Sequence, residues 1–233
     1  YFAGIDIAAG EDDPDNFKGI LYKEEQAGYL AGIVAGMMTK EYAGRSDKLN
    51  DQNTIGVVLG MFVPPVERYE VGFIQGVERV NPDCEVLSVT TGSFTDQAKG
   101  KESAIAMINK GADIVFHAAG LTGVGVIQGA KEQGVLAIGV GVDQNHLAPE
   151  TVITSAEKKI PRTVYLAVKE AVEGNFQGGT TTYGLEQGGV GISPFHGFED
   201  MVPQAVKDEI EEAKQEILNG EVDIKDTRKA IGR

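Results

Sequence analysis

A single cysteine, Cys84, is all the thiol chemistry in this 233-residue chain, which excludes an internal disulfide and a cysteine-based zinc site and says little about compartment. Basic side chains are scarce. Lys and Arg number 21 against 35 Asp and Glu, a net charge of −14 spread along the chain instead of gathered in a tail. Nucleic acid and anionic lipid both require a basic footprint, so neither is expected as a partner. No apolar run reaches the roughly 18 residues of a membrane span, and no signal sequence is read at the start. Tyr1 is not an initiator methionine and the chain opens inside what reads as a strand, Tyr1 to Ala8, so the start reads as processed or truncated. With only 8 prolines and 42% hydrophobic residues, the chain is expected to fold around a sizeable core.

Signatures of catalysis are missing as well. His117, His146 and His196 are scattered without H-E-x-x-H or paired-ligand spacing, so no metal site is expected. No serine sits in a G-x-S-x-G elbow, and no G-K-[ST] occurs to mark a phosphate loop. The acidic neighbours Asp12–Asp13, Glu24–Glu25 and Glu211–Glu212 read as solvated faces, and spacing alone does not make them an acid and a base. The turn Gly120-x-x-Gly123-x-Gly125 departs from G-x-G-x-x-G and lacks the acidic residue that would end a second strand, which argues against a nicotinamide or flavin cofactor. No catalytic residue, metal or cofactor is therefore expected.

What is present is a repeated alternation of strand and helix. The stretch from Gly111 to Asp143 spells one whole unit: an apolar strand from Asp113 to His117, a small-residue turn from Ala118 to Gly125, a helix with Val126, Ile127 and Ala130 on one face, and a second apolar strand from Val135 to Val142. Open parallel sheets bind ligands beyond the carboxyl ends of their strands, so the Gly120 turn and Asp143 are expected to face one crevice. Small residues in that turn allow a ligand to lie against the backbone, with N–H groups of the helix start as donors.

Around this unit the chain reads as a short strand from Gly19 to Tyr22 and a helix from Glu24 to about Lys40, with Gly28, Gly32 and Gly36 leaving one face bare for close packing. A polar linker from Arg45 to Asn53 leads to a strand from Ile55 to Gly60, a helix from Val66 to Val80, a strand from Glu85 to Thr90 and a helix from Thr95 to Lys110. Residues 54 to about 150 thus form one βαβαβαβ lobe. A strand at Val152 to Thr154, an amphipathic helix through Val164 and Val172, Gly-rich connections and a charged helix from Pro203 to Asn219 complete the chain.

The ordered segments YKEEQAGYLAG, IGVVLGMFVPPVERYEVGFIQGVERVNP, SFTDQAKGKESA, GADIVFHAAGLTGVGVI, AIGVGVDQN, ITSAEKK and LEQGGVGISP resemble the basic membrane protein family, substrate-binding lipoproteins of ABC importers of the purine nucleoside receptor type. The resemblance runs from about residue 1 to 224 and implies an α/β, two-lobed, type I periplasmic-binding-protein-like fold with parallel sheets and three crossings between lobes. It implies that roughly the first third of a typical member is absent and the N-terminal lobe incomplete. On that map residues 1–53 are the remnant of the N-terminal lobe, 54–150 the second lobe, 151–185 the return to the first, and 186–233 a last crossing with a C-terminal helix and tail.

The resemblance also implies a function: a solute receptor, not an enzyme, that binds a purine nucleoside between the lobes and hands it to a transporter permease. It would stand outside the cytoplasm, in the periplasm or at the cell surface, held to the membrane only by a lipid anchor that this chain does not contain. Receptors for a sugar or another small polar metabolite, a ligand-sensing regulatory module and, further off, a nucleoside-processing enzyme are the alternatives. Among ligand residues, Tyr69 is similar to the ring that stacks on the nucleobase, a contact of about 1–3 kcal/mol per base. Gly120 looks like the backbone contact, Asp143 like the carboxylate that accepts from a vicinal diol, and Lys158 like the pocket lysine across the cleft on the other lobe. Members commonly read I-G-V-D-x-D-Q where this chain has Gly141 in place of the first aspartate, a departure that bears on specificity.

Overall fold

Strands that are apolar along their whole length need cover on both faces, and the chain meets that need with two sheets and helices between and around them. The computed structural model describes residues 1–233. In chain order the elements are β1 (Phe2–Ile5), β2 (Phe17–Tyr22), α1 (Glu24–Glu41), β3 (Thr54–Leu59), α2 (Pro64–Val80), β4 (Glu85–Thr90), α3 (Gln97–Ile108), β5 (Ala112–Ala118), α4 (Thr122–Gln133), β6 (Leu136–Gly141), β7 (Val152–Lys158), α5 (Ile160–Val172), β8 (Gly179–Tyr183), β9 (Val190–Ile192) and α6 (Gln204–Leu218). The smaller sheet has the order β1-β2-β8 and is wholly parallel. The larger has the order β4-β3-β5-β6-β7-β9, parallel except for β9, which runs against β7. The expected α/β fold with parallel sheets is thus present.

In the large sheet β3 and β5 are buried at every residue. Helices α1 and α2 lie on one face and α3 and α4 on the other. Each helix pair packs backbone to backbone: a Cβ at Gly72 would overlap the carbonyl of Glu25, one at Gly28 the carbonyl of Tyr69, and one at Gly125 the carbonyl of Gln97. The four-residue glycine spacing in α1 therefore serves close packing, as expected. Phe73 and Phe116 stack beneath α2 with centroids 4.6 Å apart.

The lobe boundaries differ from the expected ones at 53 and 150. Helix α1 belongs to the large lobe, because 15 of its 18 residues are buried and it needs the bare face of α2 to cover them. Glu24 and Glu25 are buried with it at 0% and 7% exposure, against the reading of that pair as a solvated face. Strand β7 pairs with β6, so the large sheet runs on to Lys158. The crossings lie at Lys23, at Lys159 and in the 184–189 turn, tied together by Lys23 N–H donating to the Tyr183 carbonyl at 3.0 Å and Lys159 N–H to that of Gly189 at 2.8 Å.

Candidate functional site

Strands β1, β5, β6 and β7 end at one cavity of about 570 Å³, within the range of small-molecule pockets. Its floor is Ala118, Ala119 and Gly120 after β5 and Val140, Gly141 and Val142 at the end of β6. The start of α2 supplies Val63, Val66 and Tyr69, the β4–α3 loop Phe94, β7 Lys158, and the turn after β1 Asp6. Apolar walls with few charges at one end suit a ligand with a flat apolar body. No group of three or more His, Cys, Asp or Glu side chains converges to hold a metal ion.

Three of the four anticipated residues meet here. Tyr69 lines the cavity but is only 5% exposed, its ring edge-on to Phe116 at 6.4 Å. Its hydroxyl is a buried polar atom without a hydrogen-bond partner. Burial, with Glu24 and Asp6 nearby, holds its pKa well above the ordinary tyrosine value, so it remains a donor. Gly120 has φ +56 and packs against the Phe94 carbonyl, so a side chain there would be strained twice over. The N–H groups of Thr122, Gly123 and Val124 at the start of α4 donate to the carbonyls of Phe94, Gly120 and Leu121, so these are not the free donors expected of that helix start.

Lys158 also lines the cavity, on the large sheet and not on the opposite lobe, because it is the last residue of β7. Its ammonium donates to both carboxylate oxygens of Asp6 at 2.7 and 2.9 Å and sits 2.7 Å from Glu24 Oε1 and 4.9 Å from the Tyr22 ring centroid. Glu24 in turn accepts from Arg68 Nε at 2.6 Å. A chain of alternating charge thus runs from Asp6, on the small lobe, into the core of the large one.

Asp143 is the exception. Its Oδ1 accepts from the Asn145 N–H at 3.1 Å and its Oδ2 pairs with His196 Nε2 at 2.7 Å, so it caps its own turn and ties the cavity rim to the segment before α6. It does not line the cavity; Gly141, two residues earlier, does. With φ +80 and nothing within 4 Å of a Cβ built on it, Gly141 leaves open space where the strand ends. The carboxylate inside the cleft is Asp6, which the sequence reading passed over although it too is a polar residue at a strand's carboxyl end. Asp6 holds φ +58, an uncommon backbone for a residue other than glycine and one that concentrates at functional sites. Phe94 was missed because a lone aromatic in an irregular loop carries no periodic signal.

Residues 1–228 match the family model described as ABC transporter substrate-binding protein PnrA-like. The chain belongs to this family. It is 34% identical over 226 residues to basic membrane protein A of Borreliella afzelii, covering 95% of this chain and 65% of that protein. Across the first curated relatives it spans 59% to 65% of their length. Among solved structures, a solute-binding protein of an ABC transporter system from Aeropyrum pernix K1 superposes with TM-score 0.85 at 28% identity, covering 97% of this chain and 70% of that one. A Bacillus halodurans protein described as a transcriptional activator of the comK gene superposes with TM-score 0.78 at 25% identity, covering 93% and 69%. These likenesses agree with the type I periplasmic-binding fold read from the sequence.

Proposed function

We propose that the chain is the solute-binding part of an ABC importer and takes a purine nucleoside into the cavity at the strand ends. The observation that carries this reading is the cavity itself: apolar walls at Val63, Val66, Phe94, Val140 and Val142, one unpartnered tyrosine hydroxyl, and a lysine–carboxylate pair at a single end. A base would lie between Phe94 and the Val140–Val142 rim, donating or accepting at Tyr69. The sugar hydroxyls would face Asp6 and Lys158, with Asp6 in the diol-accepting role first assigned to Asp143. Ligand at that end would bridge the lobes, the hinge-closure mode of such receptors. In this reading the protein acts outside the cytoplasm, joined to a membrane by a lipid anchor, and delivers its ligand to a permease.

The test is a melting-temperature panel. Inosine, guanosine and adenosine should each stabilise the protein, while phosphate, nucleotides and amino acids do not, because an anion would enter a protein of net charge −14. Larger stabilisation by a hexose than by any nucleoside would replace the proposal with a sugar receptor. The likeness to the comK activator favours a second reading, a module whose occupancy controls a partner; the same panel identifies its ligand, and a pull-down with permease against cytoplasmic partners separates the two.

A further inference from the structure

The hydrogen-bond ladder between β5 and β6 stops short of the cavity. Its last paired residues are Phe116 and Ile138, yet the cavity floor is made by residues 118–120 and 140–142, beyond the end of the ladder. β3 holds β5 as far as Ala118 and β7 holds β6 as far as Gly141, but no backbone pairing joins these two wall segments to each other.

The gap is bridged by side chains. Gln144 folds back so that its Oε1 accepts from the Val140 N–H at 2.9 Å and meets His117 Nε2 at 2.9 Å. Its own N–H donates to Ser155 Oγ on β7 at 3.0 Å. Room for this comes from Gly139, where a Cβ would lie 2.6 Å from both Gln144 Oε1 and Ser155 Oγ. Because the atom facing the Val140 N–H must be an acceptor, His117 must be the donor, which fixes its proton on Nε2. Nδ1 then carries a lone pair, without a partner and packed against Gly123. Burial pushes the imidazole pKa down to about 4, so the ring stays neutral under ordinary conditions.

We infer that His117 and Gln144 are positioning residues that lock the two strand-end walls of the cavity at a fixed separation, so that they set ligand affinity without touching ligand. Gln144 takes the place of the missing ladder bond on β6, and His117 supplies the matching donor from β5. This rests on the cavity being the binding site, but its structural half is independent of which ligand binds.

The experiment therefore has two arms on the same variants: amide hydrogen exchange without ligand, and calorimetric titration with guanosine. In Gln144→Met, exchange at Val140 should rise about 100-fold while the β3 amides of Ile55–Leu59 keep their protection, and guanosine should bind at least about ten-fold more weakly. His117→Leu should move both readouts in the same direction and serves in place of Gln144→Met should that variant not fold. Gln144→Glu, which still accepts from both partners, should restore both. Uniform loss of protection across β3 and Val140 would mean only general destabilisation and would overturn the inference, as would unchanged guanosine affinity in a variant whose Val140 amide has come free. If the parent protein binds no guanosine, the nucleoside proposal fails while the exchange arm still decides whether the pair holds the walls.

Discussion

Strand β5 of the large sheet is buried at all seven residues, whereas helix α5 beside the small sheet buries only Thr163 and Ala167 and leaves Tyr165, Val168 and Val172 at 64%, 57% and 82% exposure. One lobe is a closed core with helices on both faces. The other is three strands with an apolar helix face open to solvent. The difference bears on the site: the closed lobe builds nearly the whole cavity on strand ends held by packed helix pairs, while the open lobe contributes Asp6, through a charge pair, and Ile160 at the start of α5. The chain spans only 59% to 65% of its relatives' length, and the lobe with the open helix face is the one built from fewer strands.

The two lobes should differ most in their tolerance of added side-chain volume. Gly72→Val forces a side chain into the Glu25 carbonyl, and since neither backbone can give way it should destabilise the protein by more than about 4 kcal/mol. Val168→Ser on the open face should change stability by no more than about 0.5 kcal/mol. Urea unfolding of the two variants measures both, and equal effects would mean that the lobes do not differ in the way described.

Charge gives the next contrast. Glu24 has no exposed side-chain surface and holds both Lys158 and Arg68, so Glu24→Ala strips Arg68 of its carboxylate and leaves Lys158 with Asp6 alone, and should cost about 3–5 kcal/mol. Asp6 sits on the same lysine but its side chain is 37% exposed, and Asp6→Asn should cost about 0–1 kcal/mol while weakening ligand binding. Denaturant midpoints and ligand titrations separate the structural end of this charge chain from its functional end.

A smaller effect should appear on changing pH. Burial, with Glu24 beside it, raises the Glu25 pKa to about 7, so between about 4.5 and 7 the folded protein holds a proton the unfolded chain has lost, and this group's contribution falls as pH rises. His117 works in the opposite sense. Its depressed pKa of about 4 means that the unfolded chain gains a proton the native state refuses, so its contribution is fully present above 6.5 and falls as pH drops from 6.5 toward 4. The two slopes oppose each other through most of one window. Glu25→Gln should therefore make stability fall more steeply on acidification, and His117→Gln should make it rise, as read from melting temperatures at pH 4.5, 5.5 and 6.5.

Much of this architecture was legible in the sequence. The runs at Ile55–Gly60, Asp113–His117 and Val135–Val142 are apolar at nearly every position, as strands covered on both faces are, and the structure has strands in all three. The allegiance of α1 was not legible, because a helix buried almost all round has no amphipathic face to show which lobe it serves. Asp143 misled for a related reason. A carboxylate at a strand end reads the same whether it turns into the cleft or back onto its own turn, and what turns it back, His196, lies 53 residues away in a stretch without periodicity.

The central claim is that ligand sits where the strands of the large lobe end. Amide chemical-shift mapping during a guanosine titration tests it directly. Shifts concentrated at Phe94, Ala118–Gly120 and Val140–Val142, with Asp6 following and the acidic loop at Asp13–Asp15 silent, are what the account predicts. Saturable shifts centred on Asp13–Asp15 and Phe176 with the strand ends unmoved would contradict it.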